Sequence, residues 1–374
     1  MKIAMIGHKR IPSRSGGVEV VVEELSKRMA HLGHKVDIYN RFSGEKKLSE
    51  YNGARIIEIP TFNVPALHAM LYSLFATIRC IFTKYDIVHY HAEGPCAMIP
   101  LAKLFGKKTV ATIHGLDWQR SKWGGFATKY LLFGEKMAAK YADKVIVLSE
   151  NVKKYFKDKY NCDAVLIPNG IDRVNPLKPN IIKSEYNLNG GDYVLFLARI
   201  TPEKGLDYLI DAYKMLNTDK KLVIAGALEP ETEYIASVKE KARDCQNIIF
   251  TGFVSGEKLA ELFSNCYLYV LPSDIEGMPM SLLEAVGYGA KVIVSDIPEN
   301  IDCLCGYGNS FEHGNSGSLC KVLKFCLDRE DLRECDFKED ETPELVQQKR
   351  EELIKKYDWD NITSQTLELY NSLK

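Results

Sequence analysis

The chain has 374 residues, 46% of them hydrophobic, and a formal net charge of -1. The length exceeds the roughly 250 to 300 residues that a single hydrophobic core supports, which predicts two domains. No stretch reaches the roughly 18 uncharged apolar residues of a membrane span, and MKIAMIGHKR lacks a signal-peptide core, so we expect a cytoplasmic protein. The ten cysteines and eight histidines show no zinc-site spacing, which argues against a metal held by the protein's own side chains.

The first half of the chain alternates apolar runs with amphipathic stretches. KIAMIG, VEVVVEELSKRMAHLG and KVDIYN are typical of a strand, crossover helix and parallel strand, and further strands are predicted at residues 86–91, 108–114 and 144–149. Their nearly continuous Val and Ile content favours burial on both sheet faces. We therefore predict a doubly wound α/β domain over residues 1–172.

A second run of the same kind follows PNGID at residues 168–172. YVLFLARI, KLVIAGA, NIIFTGF, LYVLPS and AKVIVSD are its predicted strands, which gives a second domain over residues 173–357 and a linker near residues 172–181. Ligands of doubly wound sheets bind outside the carboxyl ends of the strands. We expect the two domains to face each other across a cleft.

Charge is divided unevenly between these halves. Residues 1 to 172 carry 26 Lys and Arg against 16 Asp and Glu, a net of +10, and the rest carries 23 against 34, a net of -11. The basic half favours an anionic partner such as the inner face of a membrane, whereas complementary domain faces are the alternative explanation. Nothing in the pattern suggests nucleic acid as a partner.

The first strand is joined to the first helix by GHKRIPSRSGGVE. Gly16 and Gly17 stand at the predicted helix start, where residues without a Cβ let the backbone approach a phosphate and the helix dipole favours it by roughly 0.3 to 1 kcal/mol. The spacing is not GxGxxG, so it supports NAD binding only weakly. A purely structural turn is the alternative.

The next motif, ATIHGLDWQRSKWGGF, begins at a predicted strand end. His114 lies just past the strand, where a polar side chain faces the cleft and can touch a sugar or its acceptor. Asp117, Trp118 and Arg120 follow as candidates for a carbohydrate-stacking and basic edge on the acceptor side. Alternatively, the histidine is structural and the aromatic residues only pack.

In VLFLARITPEKGLDYLIDAY, a strand is predicted to end at Arg199 and a helix to begin near Lys204 and Gly205. A diphosphate leaving group carries concentrated charge, which an Arg fork and a Lys point charge at a helix start neutralise without a metal. Two basic residues at a helix start are also common on protein surfaces.

The most specific motif is LPSDIEGMPMSLLEAVGYGAKVIVSD, with Glu276 and Glu284 eight positions apart. Glu276 lies in a loop after a strand, and Pro279 fits the first turn of the next helix, so a carboxylate for sugar hydroxyls stands beside free amides for anionic oxygens. Glu284, about two turns on, can reach a ribose. A capping acid and a surface acid are the alternative. The free amides at the start of this helix are those of Gly277, Met278 and Met280.

These four motifs occur in the order and at about the spacing seen in retaining family 4 glycosyltransferases, which the chain resembles over nearly its whole length. The resemblance implies a GT-B fold, with two Rossmann-like domains: an amino-terminal acceptor-binding domain, rejoined by the last helix at residues 358–374, and a carboxyl-terminal nucleotide-sugar-binding domain. GHKRIPSRSGGVEVVVEELS and HGLDWQRSKWGGF resemble more specifically the rhamnosyltransferase-type members of bacterial capsular and cell-wall polysaccharide synthesis.

The resemblance also implies residue roles. Arg199 and Lys204 resemble the pair that binds the donor diphosphate, and Glu276 the glutamate that contacts the donor sugar. Pro279 departs from the pattern, because many members have glycine there, and this removes an amide donor. Further implied contacts are Glu284 with the ribose, Gly17 with a phosphate, His114 with the reacting sugar, and Gly252, Phe253 and Val254 with the base.

The implied reaction is metal-independent, retaining transfer from a nucleoside diphosphate to a saccharide by front-face attack, with no further cofactor. The subgroup resemblance favours deoxythymidine-diphosphate rhamnose as the donor and a lipid-linked acceptor. The apolar segment of residues 61–86 is either part of a membrane-facing acceptor mouth or a buried crossover helix. Three alternatives stay open: a uridine-diphosphate hexose donor, a nucleotide-sugar epimerase of the same fold, and a non-catalytic nucleotide-sugar-binding subunit.

Overall fold

The computed structural model describes residues 1–14, 16–42, 44, 48–61, 65–119, 124–328 and 342–374. The chain divides into two compact units. Unit 1 contains Met1–Gly170 and Tyr357–Lys374, and unit 2 contains Ile171–Lys356. The sequence predicts these two domain boundaries after residues 172 and 357, whereas the structure places them after residues 170 and 356.

Unit 1 is built on a sheet whose strands are β1 (Lys2–Ile6), β2 (Lys35–Arg41), β3 (Glu50–Tyr51), β4 (Ala54–Ile59), β5 (Ile87–His91), β6 (Thr109–Ile113), β7 (Lys144–Val147) and β8 (Val165–Leu166). The strand order is β3-β4-β2-β1-β5-β6-β7-β8. All neighbours are parallel except β3 and β4. Strands β3, β4 and β8 were not predicted from the sequence, although ARIIEI of β4 has the branched apolar content of a strand.

The crossover helices of unit 1 are α1 (Gly17–His31), α2 (Pro65–Ile81), α3 (Glu93–Cys96), α4 (Ile99–Leu104), α5 (Gly125–Tyr141) and α6 (Glu150–Tyr160). Helix α2 lies in the apolar segment of residues 61–86. Its Tyr72, Ala76 and Cys80 are fully buried in one core with Val88 and Tyr90 of β5. The structure therefore favours the crossover-helix interpretation for this apolar face.

Unit 2 contains the strands β9 (Tyr193–Leu197), β10 (Lys221–Ala225), β11 (Ile248–Gly252), β12 (Leu268–Leu271), β13 (Val292–Ser295) and β14 (Asn309–Phe311). They form a wholly parallel sheet of order β11-β10-β9-β12-β13-β14. Its helices are α7 (Ile181–Tyr186), α8 (Leu206–Lys214), α9 (Glu233–Ala242), α10 (Gly256–Asn265), α11 (Met280–Tyr288), α12 (Pro298–Leu304), α13 (Ser316–Leu327) and α14 (Pro343–Lys356). The five strands predicted for this half are all present.

The last helix, α15 (Trp359–Asn371), returns to unit 1. Asp358 caps it by accepting hydrogen bonds from the amides of Asp360 and Asn361, which satisfies donors at the helix start. Near its other end, the Tyr370 hydroxyl lies 2.6 Å from Nδ1 of His89, a fully buried residue of β5. Alternate residues of β5 therefore serve two helix layers, since Val88 and Tyr90 face α2 while His89 faces α15.

No helix in the described part of the chain is long and apolar enough to cross a bilayer.

Candidate active site

In unit 2, the predicted cationic residues follow the carboxyl end of β9. The strand ends at Leu197, two residues earlier than the sequence predicted, so Arg199 lies in the loop. Lys204 closes a single 3-10 turn, Pro202–Lys204, and α8 begins only at Leu206. Gly205, between the turn and the helix, has a left-handed backbone conformation, which interrupts the helical path and separates the turn from α8.

The structure brings Lys204 and Glu276 together. Their side chains form an ion pair, and the Ser273 hydroxyl donates a 2.7 Å hydrogen bond to the same Glu276 oxygen. The two side chains are only 13% and 7% exposed. Because little water screens them, the ammonium and the carboxylate interact more strongly than a surface pair would.

Gly205 explains how these two loops come so close. Its φ is 62°, in the left-handed region, and a Cβ there would lie 2.1 Å from the carbonyl oxygen of Pro272. The Asp274 amide also donates to the carbonyl oxygen of Glu203 at 2.9 Å. Backbone contacts on both sides of Lys204 therefore hold its turn against the loop that carries Glu276.

A buried network of hydrogen bonds holds the loop that carries Glu276. The Ser295 hydroxyl donates to the carbonyl oxygen of Ser273 at 2.5 Å, and the Asn300 side-chain amide donates to the Ser295 hydroxyl at 3.0 Å. All three residues are fully buried. The sequence does not single out these three residues, because serine and asparagine at strand and helix ends are also common as ordinary capping residues.

Helix α11 follows this loop, and one detail of its prediction was wrong. Pro279 is not in the first turn: its φ of -76° and ψ of 108° are extended, so it precedes the helix as the capping residue. Its carbonyl oxygen accepts from the amides of Leu282 and Leu283, each at 3.2 Å. The remaining predicted residues occupy these places: Gly277 and Met278 buried in the loop, Met280 at the first helical position, and Glu284 half-buried on the helix.

The remaining predicted residues of unit 2 are Arg199, Gly252, Phe253 and Val254. Arg199 is exposed, and within the described residues its guanidinium has no hydrogen bond or ion pair. Gly252 ends β11 with a φ of 73°, Phe253 is 56% exposed, and Val254 is buried. An exposed aromatic ring at a strand's carboxyl end is compatible with stacking on a base, but the structure places no described partner on it.

In unit 1, α1 begins at Gly17 and Gly16 is its capping residue, as predicted. The structure adds a carboxylate there. Buried Glu19 accepts a 2.9 Å hydrogen bond from the Lys9 amide, and its other oxygen lies 2.5 Å from where a Cβ on Gly16 would be. This negative charge already interacts with the helix start, so it weakens the attraction that the start offers to a phosphate.

His114 follows β6, as predicted, and the structure gives it a partner that was not predicted from the sequence. Nδ1 of His91, which is completely buried at the end of β5, lies 3.1 Å from Nε2 of His114. Burial, together with the neighbouring His89 and His114 rings, lowers the pKa of His91 well below its usual range. Burial lowers the pKa of His89 to about 3. Both rings are therefore neutral at pH 7, and His91 orients His114 without adding charge.

The turn after His114 carries the acceptor-side candidates. The Asp117 amide donates to Oε1 of Glu93 at 2.9 Å, and the Trp118 indole nitrogen donates to Oε2 of Glu135 at 3.0 Å. Trp118 is half-buried, and Arg120 lies outside the described residues. The alternation in HYH could have pointed to His91, but the sequence offered no signal for the two glutamates.

No cluster of three or more His, Cys, Asp or Glu side chains suited to hold a metal ion occurs within the described ranges.

Two family models match the chain, one in each unit apart from a few residues at the boundary. The model described as Glycosyltransferase Family 4 matches residues 15–174, and the model described as Glycosyl transferases group 1 matches residues 178–335. The chain is a family 4-type glycosyltransferase.

Individual relatives of this glycosyltransferase are distant. An uncharacterized glycosyltransferase of Methanocaldococcus jannaschii is 25% identical over 401 residues, covering 99% of this chain and 98% of the relative. The O-antigen biosynthesis glycosyltransferase WclY of Escherichia coli is 26% identical over 255 residues, covering 65% of this chain and 70% of WclY. The structure of Anabaena HepE, solved in complex with UDP and glucose, matches this chain with a TM-score of 0.80 at 17% identity. The match covers 100% of this chain and 100% of HepE. The predicted fold, two Rossmann-like GT-B domains with parallel sheets, is confirmed.

Proposed function

We propose that unit 2 of this glycosyltransferase binds the nucleotide sugar through Lys204 and Glu276. The buried contact between these two side chains carries the proposal, because it sets a cation for a leaving diphosphate beside a carboxylate for sugar hydroxyls. An ammonium has three hydrogen-bond donors, so Lys204 can keep Glu276 as a partner while it binds a phosphate oxygen. Arg199, exposed on the preceding loop, supplies a second cation.

The same arrangement supports a mechanism without a covalent enzyme intermediate. As the bond to the diphosphate lengthens, negative charge develops on the leaving oxygen, and the Lys204 ammonium, held in place by Glu276, stabilises the transition state more than the ground state. The acceptor hydroxyl attacks from the same face, which retains the anomeric configuration, and its proton passes to the departing phosphate. His114, oriented by neutral His91, lies on unit 1 as a hydrogen-bonding group for the sugar.

The donor is deoxythymidine-diphosphate rhamnose, and the acceptor is a lipid-linked saccharide of polysaccharide synthesis. The likeness of HGLDWQRSKWGGF to rhamnosyltransferase-type sequences supports the donor. The role of WclY in O-antigen synthesis supports the acceptor class. The UDP and glucose bound to HepE favour the competing uridine-diphosphate hexose donor, so the test sets the two donors against each other.

Purified protein is given both donors in competition, with a panel of saccharide and lipid-linked acceptors, and the product's anomeric centre is examined by NMR. We expect preferential transfer of rhamnose with retention. Preference for a uridine-linked hexose would reject the donor assignment, and an inverted product would reject the mechanism. A control with donor alone separates the remaining alternatives, since an epimerised sugar indicates an epimerase and no turnover anywhere indicates a non-catalytic subunit.

Transfer is expected to be independent of divalent metal, because Lys204 and Arg199 already supply cations to the diphosphate. We expect the initial rate in excess EDTA to equal the rate in added Mg²⁺ or Mn²⁺. The control is a metal-dependent transferase assayed in the same buffers. Loss of activity in EDTA that either ion restores would contradict this expectation.

The membrane-facing part of the proposal rests on α5. Its exposed side chains recur every three or four residues, which places them on one helix face. The face mixes aromatic rings with lysines, a composition that favours an anionic bilayer surface. It consists of Phe126, Lys129, Phe133, Lys136 and Lys140, whereas the helix's one acidic residue, Glu135, is buried.

We expect the protein to cosediment with vesicles containing anionic lipid at low salt, and less with neutral vesicles. Each basic side chain near the leaflet adds about 1 kcal/mol, so Lys129→Glu with Lys136→Glu should weaken binding by more than tenfold. Lys153→Glu with Lys154→Glu, on α6, is the matched control, because it makes the same change in net charge on another helix of the unit. Equal sedimentation with both vesicle types would argue against membrane attraction.

A further inference from the structure

The turn Gly115–Gln119, which carries Asp117 and Trp118, is anchored mainly by groups outside itself. Its backbone supplies a 3.1 Å bond from the Asp117 amide to the Gly115 carbonyl and a 3.0 Å bond from the Gln119 amide to the Leu116 carbonyl. These bonds close the turn but leave the direction of its side chains open. Two buried glutamates behind the turn add the missing constraints.

Glu135, on α5, fixes the indole of Trp118. Its side chain is completely buried, and Oε2 accepts the indole N–H at 3.0 Å. The other oxygen accepts from Lys159 at 3.1 Å, from the Tyr155 hydroxyl at 2.8 Å and from the Tyr160 hydroxyl. Four donors, one of them the Lys159 ammonium, hold the Glu135 side chain in place, so the acceptor of the Trp118 bond is itself rigid.

Glu93, on α3, fixes the backbone of the same turn. Its Oε1 accepts from the Asp117 amide, and its Oε2 has no hydrogen-bond partner among the described residues. Burial, with the carboxylates of Asp117 and Glu135 nearby, raises the pKa of Glu93 well above its usual range. The two glutamates are neighbours because Gly134 lets α5 approach α3: a Cβ there would lie 1.9 Å from the carbonyl oxygen of Glu93.

The backbone between His91 and Glu93 is strained. Ala92 has a φ of 69° and a ψ of 161°, a region that is essentially restricted to glycine. Such a conformation costs on the order of 1 to 3 kcal/mol and persists only where the surroundings enforce it. Here it joins His91, the partner of His114, directly to Glu93, the partner of Asp117.

We infer that Glu93 and Glu135 are positioning residues, which together hold the Gly115–Gln119 turn so that Asp117 and Trp118 meet the acceptor saccharide beside His114. The acceptor part rests on the proposed function, whereas the positioning of the turn does not. The Trp118 indole donates to Glu135 and not to Glu93, so a change of the indole signal on removal of Glu93 reports movement of the turn rather than loss of the indole's own hydrogen bond.

The first test is the indole ¹⁵N–¹H NMR signal of Trp118 in the full-length protein. The chain has three tryptophans, and Trp118→Phe identifies the relevant signal. We expect both Glu135→Gln and Glu93→Ala to shift or split this signal while the signal of core residue Trp359 stays in place. Glu150→Gln, an exposed carboxylate in the same unit, is the matched control. An unmoved Trp118 signal in Glu93→Ala would overturn the inference.

The second test is kinetic and uses an acceptor from the panel described above. Glu93→Ala is expected to raise the acceptor KM by about tenfold, the effect of losing one buried hydrogen bond, with the donor KM unchanged. Glu93→Gln keeps a neutral oxygen for the Asp117 amide and should restore most of the loss. Equal changes in both KM values would indicate a structural role and overturn the inference.

The two tests separate the inference from the proposed function. If the parent transfers no sugar to any acceptor, the proposed function fails, and the NMR signals alone decide the positioning role. The Glu93 variants leave the pair of Glu135 and Lys159 intact, so the outcome does not depend on whether Glu135→Gln folds.

Discussion

Lys204→Ala is expected to lower kcat by about a hundredfold to a thousandfold, because it removes a preorganised cation from the charge that develops on the leaving diphosphate. The contact matters more in the transition state than in the ground state, so the donor KM should change less than kcat. The measurement is a steady-state donor titration at saturating acceptor. Turnover within a few-fold of the parent would remove Lys204 from the reaction.

Folding must be separated from chemistry in this experiment, because Lys204 is also the buried partner of Glu276. Glu276 keeps its hydrogen bond from Ser273, so we expect the variant to fold with a lowered urea midpoint. Lys239→Ala is the matched control, since Lys239 pairs with Glu231 at 2.7 Å in the same unit but both side chains are well exposed. It should leave both turnover and midpoint close to the parent's.

Gly205→Ala is expected to have the largest effect on stability, with activity falling as a consequence. A side chain at a φ of 62° costs roughly 1 to 2 kcal/mol, and overlap with a packed neighbour adds roughly 1 to 3 kcal/mol. The overlap is with the carbonyl oxygen of Pro272, which is backbone and cannot rotate away. Relief therefore requires the turn of Lys204 and the loop of Glu276 to separate.

The control for this prediction is Gly191→Ala. Gly191 has a φ of 81°, but nothing lies within 4 Å of where its Cβ would be, so the variant isolates the backbone contribution. We expect its urea midpoint to fall by clearly less than that of Gly205→Ala, with turnover unaffected. Equal losses in both variants would show that the contact with Pro272 does not matter.

Much of the fold follows from local sequence. The Val-rich and Ile-rich runs at β1, β2, β5, β6, β7 and β9 to β13 predicted their strands, because burial on both sheet faces requires continuous apolar residues. Gly16 and Gly17 predicted the start of α1, because a strand must turn there into a helix. The order of the motifs was sufficient to indicate the family that the two matched models show.

The sequence alone could not pair residues that lie far apart along the chain. Lys204 and Glu276 are 72 positions apart, and His89 and Tyr370 are 281 apart. Their contacts depend on strand order, with β12 placed beside β9 and α15 returned to unit 1. Strand order is decided by packing of the whole sheet, which leaves no local periodicity to read.

Which apolar and which carboxylate side chains become buried was likewise decided by the tertiary structure. The same apolar pattern fits a buried helix or a membrane surface, and only the packing of Tyr72, Ala76 and Cys80 shows that α2 uses its apolar face in the core. Glu93 and Glu135 read from the sequence as ordinary helix acids. They become the anchors of the Trp118 turn because α3 and α5 exclude water around them, and a buried carboxyl group needs nearby donors that only the folded chain supplies.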